Sequence, residues 1–183
     1  MAFDINKANS LTNNIEKFVE YCNEFQDDRN SLIMLGRLYE KLNKYDISIQ
    51  YYKKGIKLNY YDMYAMLGNL HYNNNDNKKA LKYFLLGEKN DNIDSMVSLA
   101  NFFFAEEQYD KAMLILKKIK KYKIIKKKDK KDIYNIVNTT LALIYKHDKK
   151  YTLAEKLLLE CKHPSATSRQ ILFFLASLYI KKK

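Results

Sequence analysis

Apolar residues recur along this chain at i, i+3, i+4 and i+7, the mark of one buried face of an α-helix, in blocks separated by short polar turns. The blocks predict helices at about 10–25, 29–42, 45–58, 62–74, 77–89, 94–106, 109–123, 131–147, 151–161 and 166–181. A longer period lies over the short one. Leu35-Gly36, Leu67-Gly68 and Leu99-Ala100 are each followed three positions on by Tyr39, His71 and Phe103. Twelve positions after each small residue come Ser48, Ala80 and Ala112, then Tyr52, Phe84 and Leu116, then Gly55, Gly87 and Ile119. The unit repeats every 32 residues. A fourth copy reads Leu141-Ala142, Tyr145, Ala154, Leu158, Cys161, and a fifth opens with Leu175-Ala176 and Tyr179.

Small residues at these places are expected where two helices approach closely, with large residues filling the next layer. Each unit is therefore expected to be a helical hairpin of a first helix A and a second helix B, with Gly68 and Ala80 facing each other inside one hairpin. Ile15, Phe18, Val19, Cys22 and Phe25 form one stripe, so the first helix is expected to cover the first hairpin, as terminal caps do in repeat arrays. Asp27, Asp28, Asp76 and Asp94 stand where N-caps are wanted. The expected divisions are an N-terminal capping helix at 1–28, three 32-residue hairpins at 29–123, a Lys-rich insertion at 124–131, a fourth hairpin at 132–163 and a C-terminal capping helix at 164–183.

These units resemble the tetratricopeptide repeat, whose pattern runs Leu-Gly, Tyr, Ala, a large apolar residue and Pro. The resemblance covers about residues 29 to 181, and Pro164 falls near the position of the final Pro. Leu32, Tyr64 and Met96 stand where the early Trp is usual, so the units are degenerate. The Sel1-like repeat is similar too: the step of 12 across the A–B turn is that of tetratricopeptide units, while the step of 13 from Gly55 to Gly68 is close to the Sel1-like one. Short Tyr-, Asn- and Lys-rich units of this kind are also similar to those of AT-rich giant DNA viruses. The resemblance implies an all-α solenoid of stacked antiparallel hairpins in a right-handed superhelix. It implies a non-enzymatic scaffold that binds a protein or peptide in the concave groove of the A helices.

By the same resemblance the groove would be lined by Arg37, Ala65, Asn69, Tyr72, Val97, Asn101 and Phe104. Asn can pair with the backbone of an extended peptide while the apolar stripe takes its side chains. The general abundance of Asn accounts for the ladder equally well. The two-carboxylate clamp of some co-chaperone members needs basic residues where this chain has Ile33, Met66, Asp94 and Ser98, so binding of a chaperone tail is not expected.

Composition adds little to the fold and something to the partners. Four Gly and one Pro leave no room for a turn-rich β fold. Lys outnumbers Arg 30 to 3, the skew of an AT-rich genome, but codon bias does not explain why the excess is clustered. Residues 117–131 hold ten Lys (Lys117, Lys118, Lys120, Lys121, Lys123, Lys126, Lys127, Lys128, Lys130 and Lys131) and one Asp. With Lys181–Lys183 they account for the whole formal charge of +12. The cluster coincides with an insertion, the third and fourth units being 42 residues apart. A basic loop of this kind draws nucleic acid, acidic protein or an anionic surface, and can act as a nuclear address. Lys without Arg would touch phosphate rather than read bases. A solvated loop is the plainer reading.

No phosphate loop, HExxH or GxSxG occurs, so neither an enzyme nor a cofactor is expected. His71 occupies an aromatic packing position, and His147 and His163 lack ligands at metal spacing. Cys22 and Cys161 fall on packing positions, with no basic pattern that would mark a thiolate. No leader is evident and no apolar run approaches ~20 residues, so a cytoplasmic protein with reduced thiols is expected. The last helix is apolar on most sides: Leu172, Leu175 and Tyr179 are expected to be buried, leaving Phe173, Phe174 and Ile180 as a surface for self-association or a partner.

Overall fold

The structure, a computed structural model, describes residues 2–122 and 127–161 together with 173, 176–178 and 180. Every regular element among the described residues is helical: α1 (Ile5–Ser10), α2 (Ile15–Asn23), α3 (Arg29–Lys41), α4 (Tyr45–Lys57), α5 (Met63–Asn73), α6 (Asn77–Lys89), α7 (Ile93–Ala105), α8 (Tyr109–Lys121), α9 (Lys127–His147) and α10 (Tyr151–Leu159). Consecutive helices pack against one another as hairpins, α3 on α4, α5 on α6 and α9 on α10, which is the α-solenoid class. The chain divides into two compact units, Met1–Ser95 and Met96–Lys183.

Two expectations about the elements need correction. The N-terminal cap is not one helix over 10–25 but two short ones. Leu11 to Asn13 form a turn, and the Asn14 side chain accepts from Lys17 N at 3.1 Å to start α2 afresh. The Lys-rich insertion is not wholly a loop. α9 starts at Lys127 and runs for 21 residues, against 13 for α3, α4, α6, α7 and α8, because Lys is a good helix former and the added residues extend the helix.

The caps are partly as expected. Asp28 accepts from Asn30 N at 2.8 Å and Ser31 N at 3.1 Å, and Asp76 accepts from Lys79 N at 3.1 Å. Asp27 instead pairs with Lys54 at 2.9 Å. Asp94 lies inside α7, where Asn92 takes the capping bond from Ser95 N at 2.7 Å.

The helices end in one repeated way. Asn43, Asn59, Asn75, Asp91 and Glu107 all have positive φ and stand 16 residues apart, with Lys149 a sixth case. In each, the following N–H reaches back to the carbonyl five residues earlier: Lys44 to Tyr39, Tyr60 to Gly55, Asp76 to His71, Asn92 to Gly87, Gln108 to Phe103 and Lys150 to Tyr145, at 2.8–2.9 Å. These are Schellman endings, which satisfy carbonyls the helix leaves unpaired. The position usually held by Gly is held here by Asn, Asp, Glu and Lys, and no Gly in the chain has positive φ.

In the first unit the small-residue frame is filled by size. A methyl on Gly36 would overlap the ring of Tyr52, and one on Gly68 the ring of Phe84. Tyr52 and Phe84 are almost fully buried. Burying one such side chain stabilises by about 1.5–3 kcal/mol. The residue standing over Gly68 is thus Phe84, one turn beyond the expected Ala80, although Ala80 is itself buried. Between hairpins, a methyl on Gly55 would overlap Met63, and one on Gly87 would overlap Ser95. In the second unit, Ala142 with Ala154, Leu158 and Leu178 forms the core, and Ala100 and Leu116 are fully buried. Gly thus stands 16 residues before an aromatic in the first unit, and Ala 16 before Leu in the second.

Hydrogen bonds one repeat apart tie the first two hairpins together. Arg29 Nη2 lies 2.6 Å from Asp62 Oδ2, and Tyr60 donates to Asp27 O at 3.1 Å. No helix among the described residues is long and apolar enough to cross a membrane.

Candidate functional site

The first unit holds a cleft of about 760 Å³. Its floor is one stripe of α3: Asn30, Ile33, Met34, Arg37, Leu38 and Lys41, a run at steps of three and one that keeps all six on a single helical face. One wall comes from the N-terminal helices through Ile5, Asn9, Ile15 and Phe18. The other comes from Asp62 and Met66 at the start of α5, with Asp94 beyond them.

The N-terminal wall is held by its own sequence. Asp4 caps α1 by accepting from Asn6 N at 2.8 Å. Its backbone N–H donates to the Tyr21 hydroxyl at 3.0 Å, which latches α1 to α2. Tyr21 sits in an aromatic group with Phe3 and Phe25, at centroid distances of 5.5 and 5.3 Å, and Lys7 lies 4.5 Å above its ring. Ala8 and Phe18 are then buried against Cys22 and Leu35, while Ile5 and Ile15 stay 45% and 46% exposed at the mouth of the cleft. Two exposed isoleucines lining one cleft leave apolar surface open to a partner.

The charges in the cleft are separated. At the α3 N-terminal end Arg29 is committed to Asp62. Toward the other end Arg37 and Lys41, exposed and one turn apart, have no ion pair among the described residues. The nearby acid Glu40 is occupied: its Oε1 accepts from the buried Tyr52 hydroxyl at 2.6 Å. Burial first, and then the bond to Glu40, push the Tyr52 phenol well above its ordinary range, so it stays a donor.

Of the residues expected to line a groove, only Arg37 lines this cleft. Asn69 and Tyr72 are exposed on α5. Ala65 is 5% exposed and offers a partner almost no surface, because the face of α5 that carries it is packed. Val97, Asn101 and Phe104 belong to the second unit, where Asn101 is exposed, Val97 is half-buried and the Phe104 ring tilts against Tyr109 at 5.6 Å. Sequence reasoning missed Ile5 and Ile15, which needed the break between α1 and α2 to be seen, and Asp62 and Met66, which needed α3 to be seen as the floor. Thr12-Asn13-Asn14 was the signal of the break.

The other candidates are placed as follows. Lys117 and Lys121 are exposed on α8 and Lys118 is half-buried. Lys120 is tied down, 3.0 Å from Asn138 Oδ1 and 3.7 Å from Glu160. Lys123 and Lys126 lie outside the described residues, as do the side chains of Lys127, Lys128, Lys130 and Lys131 in the first turns of α9. Phe173 and Ile180 are 72% and 77% exposed, and Leu178 between them is buried on Ala142, Ala154 and Leu158. Phe174, Leu172, Leu175, Tyr179 and Lys181–Lys183 lie outside the described residues, as do His163 and Pro164. His71 stacks on Tyr83, 5.4 Å between centroids at 4°, and burial pulls its pKa down. Burial pushes the Cys22 thiol up to about 11 and raises Cys161. A raised thiol is a poor nucleophile at neutral pH.

Comparison with known proteins bears on the same stretch. Residues 30–60 and 61–91 each match the tetratricopeptide repeat, the first spanning α3 and α4 and the second α5 and α6. No curated protein matches the chain.

Proposed function

We propose that a chain whose residues 30–91 are two tetratricopeptide repeats works as a binding scaffold, holding a peptide segment of a partner protein in the cleft of its first unit and catalysing no reaction. Repeats of this family generally mediate protein–protein interaction. The observation that carries the reading is the cleft itself: a floor on which Ile33, Met34 and Leu38 stand among Asn30, Arg37 and Lys41, under a mouth of Ile5 and Ile15, joins apolar surface to a few polar groups, the composition of a recognition site. An array of acetylated, amidated octapeptides tests it. Replacing Ile5 and Ile15 with Ser removes apolar contact at the mouth without adding charge. Captured peptides should bind this double variant at least about tenfold more weakly, since one buried Ile is worth about 1.5–3 kcal/mol. Equal binding to both proteins, with helical content unchanged, would remove the cleft from the function.

A second reading rests on Phe173 and Ile180, seven residues apart and both exposed, which fits self-association through the C-terminal segment. Sedimentation of the wild type as a dimer and of a Phe173→Ser, Ile180→Ser variant as a monomer would support it. A wild type that stays monomeric at high concentration would end it.

A further inference from the structure

The chain spends arginine sparingly, with three against thirty lysines, yet two of the three, Arg29 and Arg37, line the cleft. They do different things there. Arg29 is locked to Asp62 across one repeat at 2.6 Å and holds α3 to α5. Arg37 has no such task. It is exposed, it lies on the cleft-facing stripe between Met34 and Leu38, and it makes no ion pair among the described residues. Lys41 lies four residues on, on the same stripe. Like charges at i, i+4 disfavour a helix by about 0.2–0.5 kcal/mol. Lys41, in the last turn of α3, also meets the negative end of the helix dipole, but Arg37 is a turn further in and gains little from it. The one acid placed between them in sequence, Glu40, has one carboxylate oxygen held by the Tyr52 hydroxyl, a neutral donor, and makes no ion pair with either cation among the described residues.

Two cations without an ion pair among the described residues, Arg37 within the stripe and Lys41 at its end, therefore share a floor with Ile33, Met34 and Leu38, under a mouth of Ile5 and Ile15, in a cleft that Asp62 and Asp94 also line. Building on the scaffold reading above, we propose that the cleft takes a peptide segment in which acidic side chains stand beside large apolar ones, with a carboxylate on Arg37 and Lys41. The fork of Arg37 suits a carboxylate bidentately. The two cations, one helical turn apart, sit about 6 Å from each other along α3. Side chains two apart on an extended chain repeat at about 6.6 Å, so a segment with acids at i and i+2 meets both cations.

The test uses the full chain and the octapeptide array described above. The tightest cleft-dependent peptide is remade with Gln for each Asp or Glu, and fluorescence polarisation gives Kd for both versions. The acidic version should bind about tenfold more tightly, the worth of one charge-assisted hydrogen bond. On an Arg37→Gln, Lys41→Gln variant the two versions should bind alike. Both substitutions are at exposed positions, and circular dichroism checks that the variant is folded. The proposal is overturned if the Gln version binds the wild type equally well. It is also overturned if the Gln version regains the tenfold only when its C-terminal amide is replaced by a free carboxylate, which would assign the cations to a chain terminus. Neutral apolar peptides that still need Ile5 and Ile15 would overturn it while leaving the scaffold reading intact. An array with no cleft-dependent peptide would overturn both.

Discussion

A methyl group added at Gly68 would meet the ring of Phe84, which is 1% exposed and has nowhere to move. Overpacking of this kind costs about 1–3 kcal/mol, and the better helix propensity of Ala returns about 1 kcal/mol, so Gly68→Ala should destabilise by about 1 kcal/mol. Phe84→Leu, alone, removes apolar contact over a glycine that cannot fill the gap, at a cost of about 1–2 kcal/mol. Were the two sites independent, the double variant would lose about 2–3 kcal/mol. The structure predicts otherwise. Ala over Leu at this spacing is the pair the chain itself has at Ala100 and Leu116 and at Ala142 and Leu158, all four of them buried. The new methyl enters the space the ring leaves, so the double variant should lie within about 1 kcal/mol of the wild type, a coupling of about 2 kcal/mol. Urea unfolding of the full chain, followed by far-ultraviolet circular dichroism, measures all four proteins at constant m. Additivity within about 0.5 kcal/mol would refute the size matching, as would a Gly68→Ala variant more stable than wild type.

Three further outcomes follow from single positions. The Ser95 hydroxyl is buried with no hydrogen-bond partner among the described residues, so Ser95→Ala should raise the urea midpoint by the equivalent of about 1 kcal/mol; a loss of stability would show that the hydroxyl has a partner. Lys149 has φ 60°, a conformation costly for a residue with a Cβ, so Lys149→Gly should stabilise by about 1 kcal/mol, and Asn43→Gly by less because Asn tolerates that region. Burial holds His71 below its ordinary pKa, so the unfolded chain takes up a proton near pH 6.5 that the folded chain refuses. Stability should therefore fall as pH drops below about 6.5, and His71→Phe should flatten the slope in that window; Asp76, lowered by its hydrogen bonds from Lys79, acts only further down, in the carboxylate range.

Boundaries from α3 to α8 were legible in the sequence to within one or two residues because each turn repeats the same chemistry and each helix the same apolar stripe. The break between α1 and α2 was not read, since the stripe from Ile15 to Phe25 runs on naturally from Ser10 and hides the turn at Thr12-Asn13-Asn14. That one miss concealed the cleft: Arg37 could be found from the repeat frame, but its walls are Ile5 and Ile15, which lie outside the frame, and Asp62 and Met66, which count as lining only once α3 is seen as the floor. The Lys run before α9 read as loop on its charge and on the 42-residue spacing of the third and fourth units, yet four of those Lys lie within the helix. The Gly–aromatic and Ala–Leu pairs were present all along, sixteen residues apart, but measuring from small residue to small residue passes over them.

The positive-φ residues at 43, 59, 75, 91 and 107 make the turn after an A helix the same object as the turn after a B helix. A gene built this way can be cut within the turn at 43 and rejoined 32 codons on, at 75, with the reading register, the turn and the glycine–ring pairing all preserved, whereas a join from 75 to 107 would set Gly68 against Leu116. Unequal crossing-over would thus change the number of hairpins without an intervening misfolded form. A join only sixteen codons out would keep the turn yet bring an A helix where a B helix is needed, setting ring against ring and glycine against glycine. Whole-hairpin exchange is therefore matched in size over 29–91, and the 42-residue step from Glu107 to Lys149 breaks the spacing it depends on.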